Sequence, residues 1–215
     1  EISDQFGMDW KLFDMNVNTP AVIMVSKFDH CLVDLLYRRR IGTLKMDIAA
    51  VISNHDTTRE IVNREKIPFH HIPVTSDTKQ DAEDKIRKII ADTGAELIIL
   101  ARYMQILSTD MANSYPGQII NIHHSFLPSF KGAEPYSQAY HRGVKMIGAT
   151  AHYVTPNLDE GPIIAQQVVP VRHDMSVEDM IGAGQEIEQS VMAKAIRAHT
   201  EHRILLNEGK TVVFD

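Results

Sequence analysis

Asn121, His123, Thr150, His152 and Asp159 are polar residues whose types and spacing suit chemistry on a carbonyl. Asn121 and His123 stand two apart in "NIHHSFLPSF", directly behind the apolar run "GQII", and Thr150 and His152 stand two apart in "GATAHYV". Side chains alternate between the faces of a strand, so each pair points to one place. Asp159 lies in the turn-rich stretch "TPNLDEGP". A carbonyl carbon that becomes tetrahedral needs donors for its oxygen, and an imidazole or carboxylate to manage protons. This set holds both kinds of group. Each residue also has a plainer reading. Asn121 and His123 can cap a strand end and bond loop backbone, His152 can be a satisfied histidine in a half-buried strand, and Asp159 an ordinary turn aspartate.

Other chemistries fit poorly. The first strand-to-helix turn reads "VSKFDHCLVD" and contains no glycine, whereas dinucleotide and P-loop sites need glycines there so that backbone N–H groups can approach a phosphate. The chain has 11 histidines, but His70 and His71 are adjacent, as are His123 and His124, and adjacent strand residues face opposite ways. No H-E-x-x-H accompanies them, so no metal site is expected. Ser125 has no G-x-S-x-G elbow around it. Cys31 is the single cysteine, which excludes an internal disulfide and fits a reducing compartment.

The elements that must position the polar set are legible as an alternation. Short β-rich runs ("AVIMVS", "DIAAVISN", "FHHIPV", "ELIILA") are each followed by a helical pattern, the signature of a parallel sheet with crossover helices. In "TKQDAEDKIRKIIADTG", Ala82, Ile86, Ile89 and Ile90 recur at the helical period, Asp84, Lys85, Arg87 and Lys88 are left for water, and Gly94 ends the helix. In the second half, "MIGATAHYVT" and "GPIIAQQVVPV" flank a Pro/Asn/Asp/Gly loop and predict an antiparallel hairpin added to the sheet. A long helix is expected from about Ser176, with Val177, Ile181, Ile187, Val191 and Ala195 on its buried side, and the strand "TVVF" closes the chain. The fold class is therefore α/β: a mostly parallel twisted sheet with flanking helices and an added hairpin, Rossmann-like in layout.

The chain has 215 residues, 44% of them hydrophobic and 23% charged, with a formal net charge of −6. That length suits one substantial α/β domain. No basic stripe offers itself to phosphates, so nucleic acid is not an expected partner. The apolar runs are far shorter than the roughly 20 residues of a membrane helix, and no basic-then-apolar segment opens the sequence. No membrane association and a cytoplasmic location are expected.

Residues 119 to 166 resemble the catalytic segment of 10-formyltetrahydrofolate-dependent enzymes, and the form "NIHHSFLPSF" is similar to the formyltetrahydrofolate deformylase family in particular. The resemblance rests on Asn-x-His at a strand end, an aspartate 36 residues after that histidine, and the intervening "GATAHYV" and "DEGPII"; it extends from about residue 20 to the end. It implies the formyltransferase fold over residues 19–215 and Asn121, His123 and Asp159 as catalytic residues. The implied substrate is 10-formyltetrahydrofolate, hydrolysed to tetrahydrofolate and formate for one-carbon metabolism and purine synthesis, with no cofactor. Met104, Gln105, Ile106 and Leu107 correspond to the family's pterin-contacting segment. Thr150, His152, Val154, Thr155, Asn157 and Leu158 complete the expected substrate pocket, and Lys131 or Arg142 is a candidate for the glutamate tail. His124 is expected to face away and hold the loop. Related enzymes pass the formyl group to glycinamide ribonucleotide or to methionyl-tRNA. The first has a glycine-rich phosphate cradle in the turn that here reads "SKFDHC", and the second normally adds a C-terminal RNA-binding domain. Hydrolysis is therefore expected, with amine transfer or folate binding without turnover as alternatives. By the same resemblance, residues 1–18 look like the end of a small ACT-type regulatory domain and its linker. A homo-oligomer is expected.

Overall fold

The computed structural model describes residues 2–8, 10–127 and 135–215. The elements run α1 (Ile2–Phe6), β1 (Thr19–Val25), α2 (His30–Arg40), β2 (Met46–Ser53), α3 (Arg59–Arg64), β3 (Phe69–His71), α4 (Lys79–Thr93), β4 (Leu97–Leu100), α5 (Thr109–Ser114), β5 (Ile119–His123), α6 (Pro135–Arg142), β6 (Met146–Tyr153), β7 (Ile163–Pro170), α7 (Val177–Thr200), β8 (Ile204–Asn207) and β9 (Lys210–Val213). β1 to β7 form one sheet in the order β3-β2-β1-β4-β5-β6-β7. Pairing is parallel from β3 across to β5, and β6 and β7 add on antiparallel. Parallel sheet and added hairpin are both as expected. Among the described residues no helix is long and apolar enough to cross a membrane.

The central strands are apolar because helices cover both of their faces. In β1, Ala21, Ile23 and Val25 join a core shared with α2 and α7, while Val22 and Met24 join a second core under α4. Gly94 ends α4 in the left-handed conformation at φ 62°, which glycine adopts without steric cost. Glu83 on α4 is buried. It accepts hydrogen bonds from the Ser108 amide at 2.7 Å and from the Ser108 hydroxyl.

Two elements depart from the sequence reading. The buried stripe of α7 runs through Met180, Gly184, Ile187, Val191 and Ala195, whereas Ile181 is 38% exposed and Val177 half-buried. These positions step by three or four residues, and Ile181 lies one residue, about 100° of helix rotation, off that line. The closing strand is also not alone. β8 pairs antiparallel with β9 in a separate ribbon, turned at Glu208 and Gly209 with φ 47° and 78°. Two consecutive positive φ values define a hairpin turn whose twist matches its strands.

The strand order reverses direction at β1 and β4, so the helices that follow these two strands leave toward opposite sides. This opens a crevice at the carboxyl ends of the strands, where open α/β sheets bind ligands. β5 ends beside it.

Candidate active site

β5 carries Asn121 and His123, and the antiparallel register places Asn121 opposite His152 and His123 opposite Thr150. Directly opposed residues share a face of the sheet, so the two i, i+2 pairs converge. The His152 ring is locked from both ends. Its Nδ1 donates to the Tyr153 carbonyl at 2.9 Å, which leaves Nε2 of the neutral ring to accept from the Asn121 amide at 3.2 Å.

Asp159 closes the set from the β6–β7 loop. Its Oδ2 lies 3.4 Å from His123 Nδ1 and its Oδ1 lies 3.6 Å from His152 Nε2. The residue is left-handed, at φ 57°, a conformation aspartate and asparagine tolerate better than most. Two residues on, a side chain at Gly161 would drive its Cβ into the Tyr153 carbonyl; the loop returns to β7 through a gap that only glycine fits. His123, whose Nδ1 faces Asp159, holds its carboxyl well below the usual carboxylate range. It is therefore ionised at neutral pH.

Thr150 is fully buried and reaches the site through the loop after β5. Its hydroxyl donates to the Ser125 carbonyl at 3.0 Å and accepts from the Leu127 amide at 3.0 Å. Gln166 Nε2 donates to the same hydroxyl and to the Leu127 carbonyl, both at 3.0 Å. Thr150 and Gln166 thus do the loop-holding expected of His124. His124 instead stacks on His123, with ring centroids 5.0 Å apart and planes 24° apart, and its Nδ1 accepts from Arg102 Nη1 at 2.6 Å. Burial, then Arg102, then His123 push the His124 pKa down to about 4.

Two of the candidate pterin-contacting residues pack on one core. Leu107 and Val154 pack on the same core cluster, which brings the segment after β4 beside the one after β6. Met104, Ile106 and Leu158 are exposed there, and Gln105 and Thr155 are half-buried. The Met104 amide donates to Ser26 Oγ at 2.9 Å, and the Thr155 hydroxyl donates to the Asn157 carbonyl at 3.2 Å. Arg142 is exposed at the end of α6, and Lys131 lies outside the described residues.

Sequence reasoning missed Arg102, Glu188 and His30, which form a buried polar network behind His124. Among the described residues, His30, Cys31 and Glu188 bring metal-ligating atoms within 4.8 Å of one another. A cation fits them badly. Glu188 already accepts from His30 and from the Tyr136 hydroxyl, the Arg102 guanidinium lies against it, and burial pushes the Cys31 thiol far above its ordinary value.

The formyl transferase family model matches residues 20–196. A formyltetrahydrofolate deformylase of Corynebacterium sp. (strain P-1) is 52% identical over 99% of this chain and 74% of its own length. That of Bacillus subtilis is 46% identical over 100% of this chain and 71% of its own. The crystal structure of a formyltetrahydrofolate deformylase from Pseudomonas syringae pv. tomato superposes with a TM-score of 0.96 at 48% identity, covering 100% of this chain and 72% of that one. Glycinamide ribonucleotide transformylase 1 from Symbiobacterium toebii follows the same fold with a TM-score of 0.86 at 28% identity, over 97% of this chain and 99% of that one. The chain belongs to the formyl transferase family, in its formyltetrahydrofolate deformylase branch.

Proposed function

We propose that the chain hydrolyses 10-formyltetrahydrofolate to tetrahydrofolate and formate, in one-carbon metabolism and formate supply for purine synthesis. The observation that carries this reading is the convergence of Asn121, His123 and Asp159 at the end of β5, with the exposed Leu158 next to Asp159 in the chain and the segments after β4 and β6 packed on one core through Leu107 and Val154. Apolar walls with a few oriented polar groups suit a flat heteroaromatic ring.

Water adds to the formyl carbon and the C–N bond breaks. Asn121 has a second amide N–H free of the His152 contact to offer the formyl oxygen. His123, with Nδ1 turned to Asp159, offers Nε2–H to the same oxygen as it gains charge; one such donor contributes about 10²- to 10³-fold in rate. Asp159 is a weak base at rest, so it orients the water and takes its proton only as bonding to carbon makes that water acidic. The proton then passes to the departing nitrogen, which leaves as an amine.

The β1–α2 turn favours water over a phosphorylated amine as acceptor. Asp29 is the N-cap of α2, and an anionic carboxylate there opposes a phosphate. Phe28 covers the Arg102 guanidinium at 5.5 Å. The same reading needs no cofactor or metal, and has the chain working in the cytoplasm as a homo-oligomer; sedimentation velocity tests the last point. The protein is to be mixed with 10-formyltetrahydrofolate without any amine. Formate and tetrahydrofolate in equal amounts are expected, and neither from the Asp159→Asn variant. Formyl transfer to glycinamide ribonucleotide without hydrolysis would sink the reading.

A further inference from the structure

A chain of buried polar groups runs behind the catalytic face, and the mechanism above leaves it unused. Arg102 follows β4 with φ 64° and a side chain 10% exposed. Its Nη1 donates to His124 Nδ1 at 2.6 Å, and its Nε, which has no hydrogen-bond acceptor, lies 3.4 Å from Glu188 Oε2. Glu188 on α7 is buried; its Oε2 takes His30 Nε2 at 2.8 Å and its Oε1 accepts the Tyr136 hydroxyl at 2.9 Å. Gly184, one turn earlier, leaves room for that tyrosine, since a Cβ there would overlap its ring and hydroxyl. Gln189 Nε2 ties the His30 carbonyl at 3.0 Å. The network thus joins α2, the β4 loop, α6 and α7, and it ends on the ring that stacks against His123.

Stability does not account for it. A buried ion pair sacrifices so much hydration that well-packed apolar groups of similar size often serve as well or better. What this pair does provide is a fixed direction for one guanidinium N–H.

We propose that Arg102, held by Glu188, is a positioning residue for the hydrolysis: it fixes His124 as a neutral imidazole protonated at Nε2, and so gives His123 an uncharged ring to stack on. The Arg102 hydrogen bond occupies the Nδ1 lone pair, which is the one place where the neutral His124 ring could take a second proton. No charge then sits beside the ring that Asp159 faces. The groups around His124 act in both directions. Burial, Arg102 and His123 oppose its protonation, while Glu188 and Asp159 favour it. Removing Arg102 leaves Glu188 and Asp159 less opposed and frees Nδ1. His124 then charges at moderate pH and places a cation against the ring of His123.

The kinetic half of this proposal rests on the hydrolytic reading; the tautomer half does not. The test is ¹⁵N-histidine NMR on the whole chain together with formate release by wild type, Arg102→Met and Arg102→Gln. In wild type, His124 should show Nδ1 unprotonated and Nε2 protonated throughout pH 5 to 8. Arg102→Met, which has neither donor nor charge, should lose the single tautomer. Its kcat should fall by about 10-fold with KM nearly unchanged. It should also lose further activity on acidification through the ordinary histidine range, near about pH 6.5. Arg102→Gln restores a donor without the charge and should recover the tautomer and most of kcat. A wild-type His124 that is protonated at Nδ1, or that titrates between pH 6 and 7, overturns the proposal, as does a folded Arg102→Met enzyme with wild-type kcat and acid limb. Should Arg102→Met not fold, the wild-type tautomer decides. No formate release by wild type would sink the hydrolytic reading and the kinetic half with it, whatever the tautomer.

Discussion

Replacing Asp159 by asparagine removes a charge and a proton acceptor while changing little else. Asparagine has the size of aspartate and is comfortable in the left-handed conformation found there, φ 57°, so backbone strain contributes nothing to the outcome. Two losses follow from the geometry. The first is the acceptor for the proton of the attacking water, a role that contributes about 10²- to 10⁴-fold. The second is the carboxylate that faces His123 Nδ1 and orients its ring. Unit charges about 4 Å apart attract by about 4 kcal/mol at an effective dielectric of 20. Asp159 stands 3.4 Å from His123 with its side chain 26% exposed, and solvent screening reduces the attraction to about 1 to 2 kcal/mol. An attraction of that size corresponds to about a further 10-fold in rate. The losses multiply, so kcat should fall by at least about 10³-fold. Formate release under saturating substrate measures this, with a thermal melt to show that the variant is folded. A folded Asp159→Asn protein keeping a tenth of wild-type kcat would mean that the proton leaves the water by another route, and the role assigned to Asp159 would be wrong.

The same carboxylate predicts a pH signature in stability. Its folded pKa is depressed, so its contribution is fully present above the unfolded value of about 3.9 and fades as pH falls through the lower folded value. The melting temperature of wild type relative to Asp159→Asn should be constant above about pH 5 and converge below about pH 4. His123→Ala should lose at least about 10²-fold in kcat as an oxyanion donor disappears, and His124→Ala clearly less; equal losses would place both rings on the substrate. Thr150→Val keeps the shape but removes the hydroxyl that the Leu127 amide donates to and that donates to the Ser125 carbonyl, which should destabilise the fold by about 1 to 3 kcal/mol in urea denaturation. Gly184→Ala should cost about 1 to 3 kcal/mol by overpacking Tyr136, and no loss there would mean that α6 shifts freely against α7.

What the sequence discloses about this molecule follows from how far each signal reaches along the chain. β1, β2 and β4 are legible because burial on both faces writes itself as a continuous apolar run, and the β6–β7 hairpin because its loop is made of turn residues. The pairs Asn121 with His123 and Thr150 with His152 are legible because strand alternation is a two-residue rule. That the two pairs meet is a matter of register between β5 and β6, which no local pattern states. The stripe of α7 was drawn through Ile181, an apolar residue one position off the face; Gly184 and Met180 belong on it, and a glycine carries no hydrophobic mark. β8 went unread because Leu205 and Leu206 are both exposed, so alternation gives no cue, and only the two residues of the turn announce the ribbon.

The Arg102 network is the limiting case. Its hydrogen bonds and ion pair join residues as much as 159 positions apart, His30 to Gln189, and each member has an unremarkable local setting. Arg102 follows a strand as any loop arginine does, and Glu188 lies in a helix where glutamate is common. What identifies Glu188 is that a carboxylate falls on the buried stripe of α7, one residue after Ile187 and three before Val191. A charge on an apolar face requires a partner, because an unpaired buried carboxylate is too costly to keep. That requirement can be read from one helix once its face is drawn correctly. With the stripe drawn through Met180 and Gly184, Glu188 stands out as a buried acid, and the search for its cation leads to Arg102 and from there to the ring beside His123.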